Sequence, residues 1–434
     1  MKRTWMSGGV AMLALVACPM AATGQVAPAA APAQAAAPVE AMARDYVAQN
    51  RTPGIVIAYG IGDSAPVFAS AGRIAMETDA AAAGPDSLWR VYSMTKPITA
   101  MAAMMLVEDG KLKLDQPIAD FIPGFRQMKV LTDPANSLDS RPATTQITVR
   151  HLLTHTAGLG YSIITKGPLL KEYERLGITP GAVSAMFEAQ ARPLRPTSLK
   201  EFAERVATLP LIAEPGTKWS YSISLDLLPA VIEAAAGMPF EQFLQTRMFG
   251  PLNMTSTYWT VPQSEVGRFA TNYAWAGDNR LPLDPARTSA YLTPPSFPYG
   301  GAGLVMSARD YDRFLHMLAN GGAVGTVRVM KAETVRLAMS DLLPAGVSYA
   351  GAPSGSGGAA GPKMGYGAGG SVQLEDVPGG AGKGTYGWGG AAGTVAWVDP
   401  ARKLRGTVMV NYFPSDKWPL RADAARAVYA QAAR

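Results

Sequence analysis

The sequence is poor in cysteine and histidine, with one and three among 434 residues, and only 17% of its residues are charged. The lone cysteine is Cys18, so the chain beyond it has no thiol for a disulfide or for thiol catalysis. Lys and Arg exceed Asp and Glu by 39 to 33, yet no dense basic run appears, and Lys2 and Arg3 sit at the extreme N-terminus. A mildly basic surface follows, and no nucleic-acid partner is expected. No internal repeat is visible. No Gly-x-Ser-x-Gly elbow stands in a strand–turn–helix context, which disfavours the α/β-hydrolase mechanism. His151 and His155 are four apart on an expected helix, but Leu152, Leu153 and Thr154 between them supply no carboxylate and no third ligand is apparent. They read as structural, as does His316, and neither metal nor cofactor is expected.

With 48% hydrophobic residues the composition is that of a globular chain, and the length alone suggests more than one small core. Lys2-Arg3, an apolar stretch from about Gly8 to Ala17 and small residues through Gly24 have the form of a secretory signal over residues 1–24, too short in its apolar part to span a bilayer. Leu15-Val16-Ala17-Cys18 resembles a bacterial lipobox, followed by an uncharacteristic Pro19. The expectation is export, periplasmic or secreted after cleavage at Gly24, with a lipid anchor at Cys18 as the alternative. Residues 25–37, mostly Ala, Pro and Gln, form a linker without an apolar face.

From Pro38 a helical pattern runs to Asn50, followed by strand-like stretches at Ile55–Tyr59 and Val67–Ala69. Near the other end, Thr394–Val398 and Thr407–Tyr412 read as strands, and Arg421–Ala433 as an Ala-rich helix. Sheet character at both ends around a mostly helical middle predicts an α+β fold. Its antiparallel sheet would come from about 38–115 and 300–434, flanked by terminal helices, with a helical part at about 116–299. Thr148 is expected to cap a helix from Val149 to Thr156, and Ser307 with Asp310 a capping box ahead of Tyr311–Leu318. The Gly, Ala, Ser and Pro stretch 350–361 is expected to be a mobile surface loop.

Ser93-Met94-Thr95-Lys96 precedes an apolar helical run, and Pro97 is tolerated only near a helix start, which places Ser93 at the helix N-terminus. There the helix dipole favours an anion, and Lys96, three residues on, reaches the same face. Its ammonium would stabilise alkoxide character, or its amine act as base if its pKa is depressed. Such a motif arises by chance on the order of once in a chain of this size, so the context decides. Tyr221, in Pro215-Gly216-Thr217-Lys218-Trp219-Ser220-Tyr221, lies just ahead of a second apolar helix and is a candidate general base. Gly387-Trp388-Gly389-Gly390-Ala391 precedes a strand, and its glycines admit close approach of a ligand to the backbone. The Ala391 and Ser93 N–H groups are candidate oxyanion donors.

At these elements, and at His151–Leu159 and Gly300–Leu304, the chain resembles the serine β-lactamase and penicillin-binding-protein superfamily, most closely its family VIII carboxylesterases. The resemblance covers about residues 40–434. It implies Ser93 as nucleophile, Lys96 and Tyr221 as proton-transfer partners, and Trp388, Gly389 and Gly390 as the oxyanion and substrate edge. Two positions depart from the class C pattern. Tyr221-Ser222-Ile223 stands where that pattern has Tyr-x-Asn, and Trp388-Gly389-Gly390 where it has Lys-Thr-Gly. The amide and the cation suited to a lactam are therefore not expected, which favours neutral short-chain esters. A β-lactamase or D-amino-acid peptidase with the same nucleophile is the alternative, and a non-catalytic envelope binding protein a further one.

Overall fold

Alternation along the strand Gly54–Ile61 sets the architecture. Ile55 and Ile57 join a cluster with Val39, Tyr46, Val408 and Val428, whereas Val56 joins a second with Met317, Val398 and Met409. Residues Ile55 to Ala58 are all fully buried, so this strand is covered on both faces. The computed structural model describes residues 37–179, 181–351 and 362–433. The expected signal segment, the linker up to residue 36, Cys18 and most of the 350–361 loop lie outside the described residues. From Ala37 onward the chain forms one compact unit.

Seven strands make the main sheet, in the order Met364–Tyr366, Ser371–Gln373, Tyr386–Gly389, Val395–Asp399, Leu404–Met409, Gly54–Ile61 and Val67–Gly72. Every neighbouring pair is antiparallel, and Val56 opposite Met409 joins the two ends of the chain. Helices Pro38–Ala48 and Leu420–Ala432 cover one face, and Ala308–Ala319 lies against the other. The expected strand Thr407–Tyr412 is displaced towards the N-terminus, running instead over Leu404–Met409. Its continuation is diverted because the Asn411 side-chain amide accepts from Arg90 N–H at 3.1 Å and donates to Arg90 O at 3.0 Å, as a strand partner would. Tyr412–Phe413 then pairs with Asn272–Ala276 in a different sheet. The capping box at Ser307 is half made. Ser307 Oγ accepts from Asp310 N–H at 3.1 Å, but the Asp310 carboxylate turns to Ser256 N–H and Thr257 Oγ1 at 2.6 and 2.9 Å.

The helix Thr95–Glu108 has no polar face over most of its length, with Thr95 to Leu106 all buried, as suits a helix enclosed within the core. It packs against Ser224–Ala236, which carries Pro229 in its interior. Proline has no N–H for the carbonyl four residues back, so Leu225 O is released from the helix ladder. Gly300 fits against that spot, where a Cβ would fall 2.4 Å from Pro229 Cγ and 2.5 Å from Leu225 O. The Gly300–Gly301 backbone is thereby brought between the two helices. No helix among the described residues is long and apolar enough to cross a membrane.

Candidate active site

Ser93 lies one step outside the helix predicted to start with it. Tyr92–Met94 forms a 3₁₀ turn and the α-helix begins at Thr95. Tyr92 has φ of 44°, a conformation that costs a non-glycine residue about 1–3 kcal/mol. It is held there by Asn272 Nδ2, which donates to the Tyr92 hydroxyl at 2.9 Å, and by an edge-on contact with Phe413. The preceding strand is anchored by Arg90, whose buried guanidinium donates to the Asp284 carboxylate and to Ala270 O. Ser93 is half-buried, so its hydroxyl is reachable, whereas Lys96 is fully enclosed. Lys96 Nζ donates to Ser93 Oγ at 3.2 Å and to Gly301 O at 2.7 Å, and it sits 4.7 Å from the Tyr221 ring centre and 5.5 Å from that of Tyr161.

Tyr221 reaches the same oxygen, its hydroxyl donating to Ser93 Oγ at 2.7 Å. The loop that carries it is fixed by a residue expected to sit on a helix. The helix capped by Thr148 ends at Leu153 rather than Thr156, and His155 adopts φ of 56°. The sequence reading is corrected here, because Thr154 Oγ1 bonds back to Arg150 O and the chain turns before Gly158. His155 O accepts from Ser220 N–H at 3.0 Å and His155 Nδ1 from Ser222 N–H at 3.2 Å, so one residue brackets Tyr221 on both sides. Its ring also lies 4.9 Å from that of Tyr221. Burial and the neighbouring Lys96 charge hold His155 well below the usual imidazole range.

His151 works earlier in the same segment. Its Nδ1 accepts from Thr148 N–H at 3.2 Å, completing a capping box, and burial pushes its pKa down to about 4. A folded-state value below the unfolded one of about 6.5 means the unfolded chain binds the proton first. The contribution of the neutral ring is complete above pH 6.5 and is lost as the pH falls from there to about 4. Melting temperature is expected to fall over that window, and His151→Asn, which keeps an acceptor without a titrating group, to remove part of the fall. An identical pH dependence in the variant would refute this assignment. His316, on the helix Ala308–Ala319, pairs with Asp63 at 3.2 Å. Among the described residues no group of three His, Cys, Asp or Glu side chains is placed to hold a metal ion.

The third predicted element closes the site. Trp388 lies on the strand Tyr386–Gly389, its ring 5.7 Å from that of Tyr221. Gly390 presses against the chain two residues ahead of Ser93, since a Cβ there would fall 2.4 Å from Val91 O. Gly393 N–H donates to Gly390 O at 3.2 Å, forming a turn that leaves the Ala391 N–H outside it, and Ala391 is exposed. The structure thus brings Ser93, Lys96, Tyr221, Trp388 and the Gly390–Ala391 turn to one place.

Three features escaped the sequence reading. Trp219, Tyr366 and the half-buried Tyr349 continue an aromatic wall from Tyr221 and Trp388, with ring centres 4.8 to 5.6 Å apart between neighbours. A cation does stand beside this strand. Arg421, from the C-terminal helix, donates through Nη2 to Gly390 O at 2.7 Å, and its guanidinium carbon lies 2.7 Å from where a Gly389 Cβ would be. The expectation of no cation at this strand, drawn from Trp388 standing in place of a lysine, is thus corrected by Arg421. Asp226 is the third, a buried carboxylate among Leu225, Leu227, Leu228 and Val231. Its one local signal is an acid within an apolar helical run.

An antiparallel sheet against a buried helix headed by Ser-x-x-Lys, with a tyrosine hydroxyl on the serine, defines the β-lactamase and penicillin-binding class of fold. The family model described as Beta-lactamase matches residues 39–430, and the chain belongs to that family. A Mycobacterium tuberculosis protein is 36% identical over 352 residues, covering 79% of this chain and 81% of the relative. The esterase EstB of Burkholderia gladioli is 32% identical over 367 residues, covering 80% and 83%. The solved structure of EstCE1, described as a hydrolase with promiscuous acyltransferase activity, superposes with a TM-score of 0.71 at 25% identity over 90% of this chain and 97% of that one. The chain is an enzyme of the serine hydrolase class, and the likeness to EstB supports the family VIII resemblance.

Proposed function

We propose that the enzyme is a carboxylesterase for short-chain neutral esters that works through an acyl-enzyme on Ser93. The observation that carries this reading is the pair of contacts on Ser93 Oγ, 3.2 Å from Lys96 Nζ and 2.7 Å from the Tyr221 oxygen. Ser93 Oγ attacks the ester carbonyl while its proton passes into the Lys96–Tyr221 pair. The carbonyl oxygen, now negative, is held by the Ser93 and Ala391 N–H groups. Collapse of the adduct expels the alcohol, which takes the proton back. Water activated by the same pair then releases the acid and frees the serine. Lys96 and Tyr221 both contact the Ser93 hydroxyl oxygen, so the proton has a path into either partner as the serine attacks.

Ester is preferred to lactam because Ile223 is buried, offering no amide, and the Arg421 guanidinium is engaged with the Gly390 carbonyl. A nitrophenyl butyrate is expected to turn over far faster than a chromogenic cephalosporin. A large preference for the cephalosporin would reverse the assignment. EstCE1 is described as having promiscuous acyltransferase activity, and an acyl-enzyme can give its acyl group to an alcohol as well as to water, so a short alcohol added to the assay reports which acceptor is used.

The same reading carries the enzyme out of the cytoplasm by its N-terminal segment. N-terminal sequencing of the exported protein is expected to begin at Gln25, whereas a lipid-modified Cys18 would establish the anchored form.

A further inference from the structure

Asp226 places a carboxylate where the fold gains little from it. The residue is 2% exposed, its helix is otherwise apolar here, and its Oδ2 makes no hydrogen bond among the described residues. Its Oδ1 accepts from Gly301 N–H at 2.9 Å. Gly301 O in turn accepts from Lys96 Nζ at 2.7 Å. A side chain at residue 301 is excluded, because a Cβ there would fall 2.3 Å from Asp226 Oδ2. The carboxylate therefore lies against the one backbone segment that holds the lysine, and Thr99 Oγ1 fixes the adjoining Gly300 O at 2.7 Å.

We propose that Asp226 is a positioning residue for the reaction at Ser93: it clamps Gly301 so that its carbonyl seats Lys96 beside the serine, and its negative charge attracts the Lys96 side chain towards that seat. This rests on the reading of Ser93, Lys96 and Tyr221 as the reacting group. The charged and titratable groups that face Asp226 are Lys96 and Arg195, with the phenols of Tyr161 and Tyr299. Arg195 is paired with Glu188 at 3.2 Å and donates to the Tyr299 hydroxyl at 2.7 Å. Burial raises the Asp226 pKa, against which the Lys96 charge and the Gly301 N–H favour the carboxylate. A buried acid with one oxygen left without a partner is a cost to folding, and its retention beside a catalytic lysine is a trade of stability for function.

Asp226→Asn separates these roles, because the amide oxygen still accepts from Gly301 while the charge is gone. The variant is expected to melt at or above the wild-type temperature, to lose about tenfold in kcat with KM unchanged, and to shift the pH limb of kcat about one unit lower. The shift is downward whichever partner holds the proton, since removing a negative charge favours deprotonation of the pair. A wild-type kcat and pH profile in the folded variant would overturn the proposal. So would an activity loss that only follows a lowered melting temperature, the mark of a structural role. Asp226→Ser, smaller and open to water, carries the same pH test should the asparagine variant fail to fold. Loss of the wild-type ester activity on Ser93→Ala is the control for the underlying reading. If that activity survives, the reading of Ser93 fails and the Asp226 proposal falls with it. If only the Asp226 variants behave as wild type, the proposal alone fails.

Discussion

Ser93→Ala is expected to lower ester turnover by about 10⁴- to 10⁶-fold and to shift the melting temperature by no more than a few degrees. The size of the loss follows from the role of the oxygen, since without it no acyl-enzyme forms and only binding and the oxyanion donors remain. The small effect on stability follows from placement. Ser93 is half-buried, and its hydroxyl accepts from Lys96 and Tyr221 rather than filling core volume. Lys96 keeps its bond to Gly301 O when the hydroxyl is removed. Turnover of nitrophenyl butyrate measures the first effect and thermal melting the second. A fluorophosphonate probe, with the labelled peptide identified by mass spectrometry, locates the nucleophile independently of any chosen ester. Labelling of another serine, or a turnover number unchanged in the variant, would remove Ser93 from the mechanism.

What sequence order reveals of this site follows the range of the contacts that build it. Ser93 and Lys96 are three residues apart across the junction of the 3₁₀ turn and the α-helix, so local helical geometry brings them together, and Pro97 marks the helix start. The Trp388 strand and the turn after it are legible through their glycines, because only a residue without a Cβ at position 390 can press on Val91 O. The main sheet is legible near both termini through short β-branched and apolar runs such as Ile55–Tyr59 and Thr394–Val398, whose burial on both faces leaves them as continuous runs. Asp226 and Gly301 meet across 75 residues, and Arg421 and Gly390 across 31, so no local period announces either contact. The aromatic wall draws Trp219, Tyr349, Tyr366 and Trp388 from separate segments for the same reason. His155 was misplaced for a different cause. No proline or glycine follows Leu153 until Gly158, yet the chain leaves the helix there and enters a positive-φ turn at His155, which local sequence signals do not register.

Lys96→Met and Tyr221→Phe are each expected to lower kcat by about 10²- to 10⁴-fold, and the double variant to be little worse than either. Each substitution is chosen to leave packing in place. Methionine fills the buried path of the lysine stem along the Thr95–Glu108 helix, and phenylalanine keeps the ring that packs on His155 and Trp388. What is removed in each case is one contact on the same oxygen, at 3.2 Å from the lysine and 2.7 Å from the tyrosine. If the two groups form a single proton-transfer unit, losing either disables it, and losing the second removes little more. Two groups acting separately would instead multiply their effects, giving a double variant slower by the product of the two single losses. The mutant cycle, read from kcat at the optimum pH of each variant, distinguishes these outcomes, and multiplicative losses would mean that the proton leaves Ser93 through one partner while the other serves only to orient the hydroxyl.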